Sequence, residues 1–275
     1  MTYSTILVNL EAGRSNAHLL EVAMDVAERF QAGVIGATAC APVQMAYGDG
    51  YAFGEILDQD NREIDEQTQA AEQEFRHAFG HQNRFLDWRS AVLVTSMADH
   101  LAAEASRADL VLMHAATSRA FNPSRQVSPG GLIMQAGRPV LMVAPASVPF
   151  RMGRFVIGWK NTREARRAVA DALPMLLKAT HVDLVEVAPA DELQAARDRL
   201  EDVAAWLGRH GVSAEIHARA DDGDDSNWFD SMAAERDADI VVAGAYGHSR
   251  VREWALGGVT RTLLRHPVRT TLVSH

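Results

Sequence analysis

"RDADIVVAGAYGHSR", residues 236–250, is a short apolar strand that runs straight into a glycine turn. Its β-branched run follows Ala238-Asp239 and ends at Gly244, with a second glycine at Gly247, which is how a buried strand meets a loop. "SRADLVLMHA", residues 106–115, repeats the plan, with Ala108-Asp109 placed 130 residues earlier. Working outward, "GRPVLMVAP" (137–145) corresponds to "VRTTLVSH" (268–275). "STILVNLEAGRSNAHLLEVAMDVA", from Ser4, corresponds to "GRFVIGWKNTREARRAVADALPML", from Gly153. The chain is a tandem duplication whose join lies near "PASVPFRMG", residues 145–153.

Strands and helices alternate within each half. In the second, residues 155–159 read as a buried strand, and Ala165, Ala168, Val169, Ala172, Leu173 and Leu176 then recur at helical spacing. Pro174 is expected to end or kink that helix. A strand at 181–187, a helix carrying Leu193, Ala196, Leu200, Val203 and Leu207, the strand "AEIHARA", a helix over 228–236 and the strand "DIVVAGA" follow. The glycine segment, a helix through Arg265 and "TTLVS" complete the unit. The first half keeps this order, with an insertion at 41–60 before a helix bearing Ile64, Thr68, Ala71, Phe75 and Phe79. Alternation of this kind implies right-handed crossovers and a parallel sheet covered on both faces. The fold class is α/β, with two tandem doubly wound parallel-sheet domains at 1–146 and 152–275.

Composition narrows the function. With 275 residues, 47% hydrophobic and 23% charged, the chain can bury two cores. A formal net charge of −9 argues against a nucleic-acid surface. No run approaches eighteen apolar residues, and the N-terminus reads as a strand rather than a signal peptide. The lone Cys40 has no internal partner, which fits a reducing compartment, so the expected location is cytoplasmic.

The order of elements, the "DADIVVAGAYGHSR" phrase and a later glycine pair resemble the universal stress protein family, and the whole chain looks like a tandem member. The resemblance implies the adenine nucleotide alpha hydrolase-like fold, a role in stress response, and an adenine nucleotide as ligand. Nucleotide-binding members carry a Gly, two residues, a Gly, nine residues, then Gly followed by Ser or Thr. Gly244, Gly247 and Gly257 keep that spacing here, while Gly258 takes the Ser/Thr place and Thr260 keeps a later hydroxyl. The candidate ligand-binding residues are therefore Gly244, Gly247, His248, Gly257, Gly258, Val259 and Thr260, with ATP as the cofactor and magnesium entering only with the nucleotide. Family domains also pair their last strands, here "PVLMVAP" and "RTTLVSH", which implies an intramolecular pseudo-dimer and leaves a further homodimer open.

The physics behind the motif stands apart from the resemblance. Ligands of open α/β sheets bind where the strand order reverses, at the carboxyl ends. Glycine lets backbone amides approach phosphate, and a helix N-terminus adds unpaired donors. Amides at 258–260 would serve without a side chain at 258. A lost hydrogen bond to a charged group is worth roughly 1.5 to 3 kcal/mol, so the missing hydroxyl weakens such a site without abolishing it. The same glycines also suit a plain turn and helix start.

Each half departs from the pattern. Relatives that bind nucleotide end the first strand in an acid; the second half has Lys160 there, beside Trp159, and ammonium only donates. The first half keeps the acid as Glu11 but has His114 at the first glycine, with only Gly130-Gly131 surviving. The second half is thus the one expected to hold ligand.

Other features have plainer readings. Arg250, Arg252 and Arg261 read as a solvated face, "ADDGDDSNW" (220–228) as a capped loop rather than a calcium site, "YGDGYAFGE" (47–55) as a surface loop, and Cys40 as buried filler. No Ser-His-Asp order, HExxH helix, CxxC pair or Walker lysine appears, so neither catalytic residues nor a protein metal site is expected. Three readings stay open: a nucleotide-binding sensor, a nucleotide-free interaction scaffold with an unidentified protein partner, and a weak ATP hydrolase with His248 as its one candidate base. The first is preferred, and the chain reads as regulatory or protective rather than as an enzyme.

Overall fold

The computed structural model describes residues 2–43, 50–80, 85–115, 121–221, 225–245 and 269–275. Contacts divide the chain into two compact units, one built from Tyr3–His114 and Ser118–Ala136, the other essentially from Gly137–His275.

The first unit runs β1 (Thr5–Asn9), α1 (Ala17–Phe30), β2 (Gly33–Cys40), α2 (Gly50–Phe79), β3 (Leu86–Val92), α3 (Met97–Glu104), β4 (Leu110–His114) and α4 (Pro129–Ala136). Its strands lie in the order β3-β2-β1-β4, all parallel. Both faces are covered, so β1 and β4 are continuous apolar runs rather than alternating ones, and Ile6, Leu7, Val8, Leu110, Val111 and Leu112 are fully buried. The expected stripe on α2 is real: Ile64, Ala71, Phe75 and Phe79 are buried. The helix starts earlier than expected, however. Residues 50–55, assigned to a surface loop by their glycines and aromatics, are its opening turns, because nothing in "GEILDQDNREIDEQ" breaks a helix once begun.

The second unit runs β5 (Val140–Val143), β6 (Arg154–Gly158), α5 (Arg163–Leu176), β7 (His181–Ala188), α6 (Leu193–Arg209), β8 (Glu215–Ala220), α7 (Asp225–Glu235), β9 (Ile240–Gly244) and β10 (Thr270–Ser274). The strand order is β5-β10-β9-β6-β7-β8. All neighbours are parallel except β5 and β10, the closing strands of the two sequence halves, which pair antiparallel with Leu141 opposite Leu272. Pro174 does not end α5. The helix continues to Leu176, and Leu177 N still donates to Leu173 O at 3.0 Å. Proline costs one donor there, in a last turn whose apolar side chains are held in the core.

The Ala-Asp phrase acquires a structural role. Asp239 Oδ2 accepts from Gly153 N and Arg154 N, both at 2.8 Å, and Asp109 Oδ2 accepts from Ser4 N and Thr5 N at 2.7 and 3.1 Å. Each carboxylate ties the start of one strand, β1 or β6, to the strand beside it, β4 or β9.

Candidate functional site

Each unit has one switch point where ligands of this architecture bind. In the first it lies between the carboxyl ends of β1 and β4, in the second between those of β6 and β9.

The described residues at the first crevice bond chiefly to one another. Glu11, just past β1, is buried, and its Oε2 accepts from Arg14 Nη1 and Gln126 Nε2, each at 3.0 Å. Asn16 Oδ1 accepts from Glu11 N at 2.9 Å, and Asn16 Nδ2 donates to the carbonyls of Glu11 and Arg14. His114 ends β4 at the place of the motif's first glycine; it is buried, with Nε2 3.2 Å from Asn16 Oδ1. Since that oxygen only accepts, Nε2 carries the proton. Burial first, then the Arg14 guanidinium, push the imidazole down to about 4 against the pull of Glu11, so it is neutral. Next to Gln126, Arg125 reaches Asp60 Oδ1 at 2.5 Å, Gln67 Oε1 at 2.9 Å and Ala41 O at 3.2 Å. Burial tends to raise the Asp60 carboxyl, but Val43 N–H and Arg125 hold it below its ordinary range. The acid that Glu11 preserves in sequence is thus already engaged. Spacing could not reveal this, because Arg125 and Gln126 reach the crevice from a loop more than a hundred residues away.

The second crevice differs in kind. Gly244 ends β9, and a Cβ there would lie 2.5 Å from Ala165 N and 2.6 Å from Glu164 C. Only glycine lets the strand end touch the backbone of the first turn of α5. Thr162 caps that turn, its Oγ1 accepting from Ala165 N at 3.3 Å. Glu164 is buried in the turn; burial tends to raise its carboxyl, but its own N–H, Arg163 and Thr162 keep it low. Trp159 is buried, so most of its ring packs inward, and its indole Nε1 meets no partner among the described residues. Lys160 is exposed, as is Arg163. This wall offers cations and a helix N-terminus, which suit an anion. It carries no acid in the place of Lys160.

Of the sequence candidates, Gly244 is the one placed at this crevice. Gly247, His248, Gly257, Gly258, Val259 and Thr260 lie outside the described residues, as do Arg250, Arg252, Arg261 and the helix expected through Arg265. Cys40 is buried with its thiol raised by burial, 3.9 Å from Thr68 Oγ1.

Residues 152–275 match the universal stress protein family. This half of the chain is a universal stress protein domain. A universal stress protein from Archaeoglobus fulgidus DSM 4304 is similar over 98% of this chain and 97% of its own, with 13% identity and a TM-score of 0.68. A functionally unknown protein from Pseudomonas aeruginosa PAO1 is similar over 99% and 92%, with 18% identity and a TM-score of 0.62. At these identities the likeness is one of fold, and it extends over both halves. No curated protein matches the chain. No helix among the described residues is long and apolar enough to cross a membrane.

Proposed function

We propose that this chain is a stress-response regulatory or protective protein whose universal stress protein domain at 152–275 binds an adenine nucleotide, ATP foremost, while the domain at 1–146 does not. Membership of the family supports the stress role. The observation that carries the ligand reading is Gly244, a strand end in backbone contact with the start of α5 at the second switch point. The resemblance assigns the phosphate contacts to the amides of Gly247, Gly257, Gly258, Val259 and Thr260, which follow Gly244 in the chain and lie outside the described residues. Exposed Lys160 favours the anionic end of the ligand, and magnesium would enter with the nucleotide. In the first crevice Glu11 is already bonded to Arg14 and Gln126, which supports confining binding to one domain. In this reading the β5–β10 pairing makes the chain an internal pseudo-dimer in the cytoplasm.

Native mass spectrometry of freshly purified protein, followed by calorimetric titration with ATP and magnesium, tests the proposal. One adenine nucleotide per chain, lost in Gly247→Val with the fold intact, is the expected result. A nucleotide-free protein that ignores ATP favours the second reading, an interaction scaffold with a relic crevice, which the cation at Lys160 in place of an acid supports. Metal-dependent hydrolysis abolished by Gly247→Val would instead make the protein a weak ATP hydrolase.

A further inference from the structure

The opposite end of the second unit's sheet carries chemistry that the nucleotide reading does not use. His181 and Asp183 sit at the start of β7, and Glu215 and His217 at the start of β8, with Asp183 and Glu215 in register. Val185, two residues beyond Asp183, packs in the core with Phe229, Met232 and Ala233 of α7. Strand alternation therefore places His181, Asp183, Glu215 and His217 on that same face, next to the end of α7.

Asp183 is 1% exposed, and a buried carboxylate needs compensation. Its Oδ1 lies 2.7 Å from His217 Nε2 and its Oδ2 lies 3.2 Å from His181 Nε2. Arg236, following α7, approaches Asp183 Oδ1 at 3.7 Å and Glu215 Oε2 at 3.5 Å. One nitrogen of His181 and one oxygen each of Asp183 and Glu215 lie within 4.8 Å of one another. Atoms about 2.0 to 2.2 Å from a tetrahedral ion stand roughly 3.4 Å apart; His181 and Asp183 at 3.2 Å already match this, and the 58% exposed Glu215 side chain is free to turn in and close the set.

The geometry points to a divalent metal site of the zinc class at the amino ends of β7 and β8, with His181, Asp183 and Glu215 as ligands. Imidazole with carboxylate is a donor set for zinc and its neighbours rather than for calcium or magnesium. Two carboxylates and a neutral imidazole balance a dication. His217 orients Asp183 through the carboxylate's other oxygen, the kind of support that ligating carboxylates receive. Arg236 is the resident counter-ion when no metal is bound. Its side chain is 37% exposed, so it can turn to solvent when a dication arrives. Sequence reading missed the group because "HVD" and "EIH" show no metal spacing; the strand register alone brings them together.

Full-length protein freed of metal with a chelator, then titrated with zinc in the presence of magnesium, provides the test. One zinc per chain is expected, with affinity weakened about tenfold or more in His181→Ala and in Glu215→Gln. Both lie towards the surface, so they avoid the folding risk of altering buried Asp183, and circular dichroism checks the fold. Arg236→Ala should bind zinc more tightly, because a competing cation is gone; a merely structural charge cluster would show no such gain. His210→Ala, at an exposed imidazole on α6's end, should change nothing. Absence of saturable zinc binding, or affinity unchanged in both His181→Ala and Glu215→Gln, overturns the site.

Discussion

Asp109 and Asp239, 130 residues apart, hold the first strand of their respective sequence halves, β1 and β6, by the same device: one carboxylate oxygen accepting two consecutive backbone N–H groups. The duplication therefore preserved a structural clamp along with the fold.

Hydrogen bonds to a charged acceptor contribute about 1.5 to 3 kcal/mol each, less where water competes. Asp239 is half-buried and accepts two, so Asp239→Ala should cost about 2 to 4 kcal/mol in urea unfolding. Asp239→Asn keeps one accepting oxygen and should cost clearly less. Equal losses in the two variants would assign the stability to charge alone.

Gly244→Ala tests the backbone contact at the second crevice. The new Cβ would meet Ala165 N at 2.5 Å, and a backbone atom cannot swing aside. Strain of about 1 to 3 kcal/mol is expected, read as a lowered urea midpoint, with any nucleotide affinity falling as well.

Gly54→Ala should act the other way. The residue is exposed within α2, and its added methyl would meet nothing within 4 Å. A gain of about 1 kcal/mol is expected from helix propensity, seen as a raised Tm. Together with Gly244→Ala it separates a glycine that a contact requires from one that none does.

Stability should fall as pH drops from about 6.5 towards 4. His114 is held down to about 4 in the folded state, against an ordinary value of 6.5. Between those values the unfolded chain binds the extra proton, so stability is complete above the upper value and lost on acidification. The span corresponds to roughly 3 kcal/mol at most. His114→Gln should flatten this part of a pH series of urea midpoints, whereas an unchanged slope would show that His114 is not its source.

The repeat and the succession of strands and helices along the chain were legible because parallel strands buried on both faces are continuous apolar runs, which "TILVN" and "DIVVAGA" display. The start of α2 was not legible, since glycines at 48, 50 and 54 look like a loop until the helix beyond them is seen to extend back through two of them. Pro174 misled for a related reason: a proline in the last turn forfeits one bond, which surrounding core contacts outweigh. At the sites, Glu11 was recognisable as an acid but its engagement by Gln126 was not. Long-range side-chain partners leave no local periodicity. The histidine and acid cluster at β7 and β8 was hidden likewise, because it depends on register between two strands separated by a helix.

The antiparallel contact of β5 with β10 governs how the protein can be dissected. A fragment begun at residue 152 retains every element after the sequence join but lacks Val140–Val143, leaving β10 with a bare hydrogen-bonding margin beside buried Leu272 and Val273. Such a piece would seek a substitute strand, most readily from another copy of itself. Truncation at 137 instead carries the native cover of β10 along, so the two cuts, fifteen residues apart, should differ in whether β10 itself drives self-association.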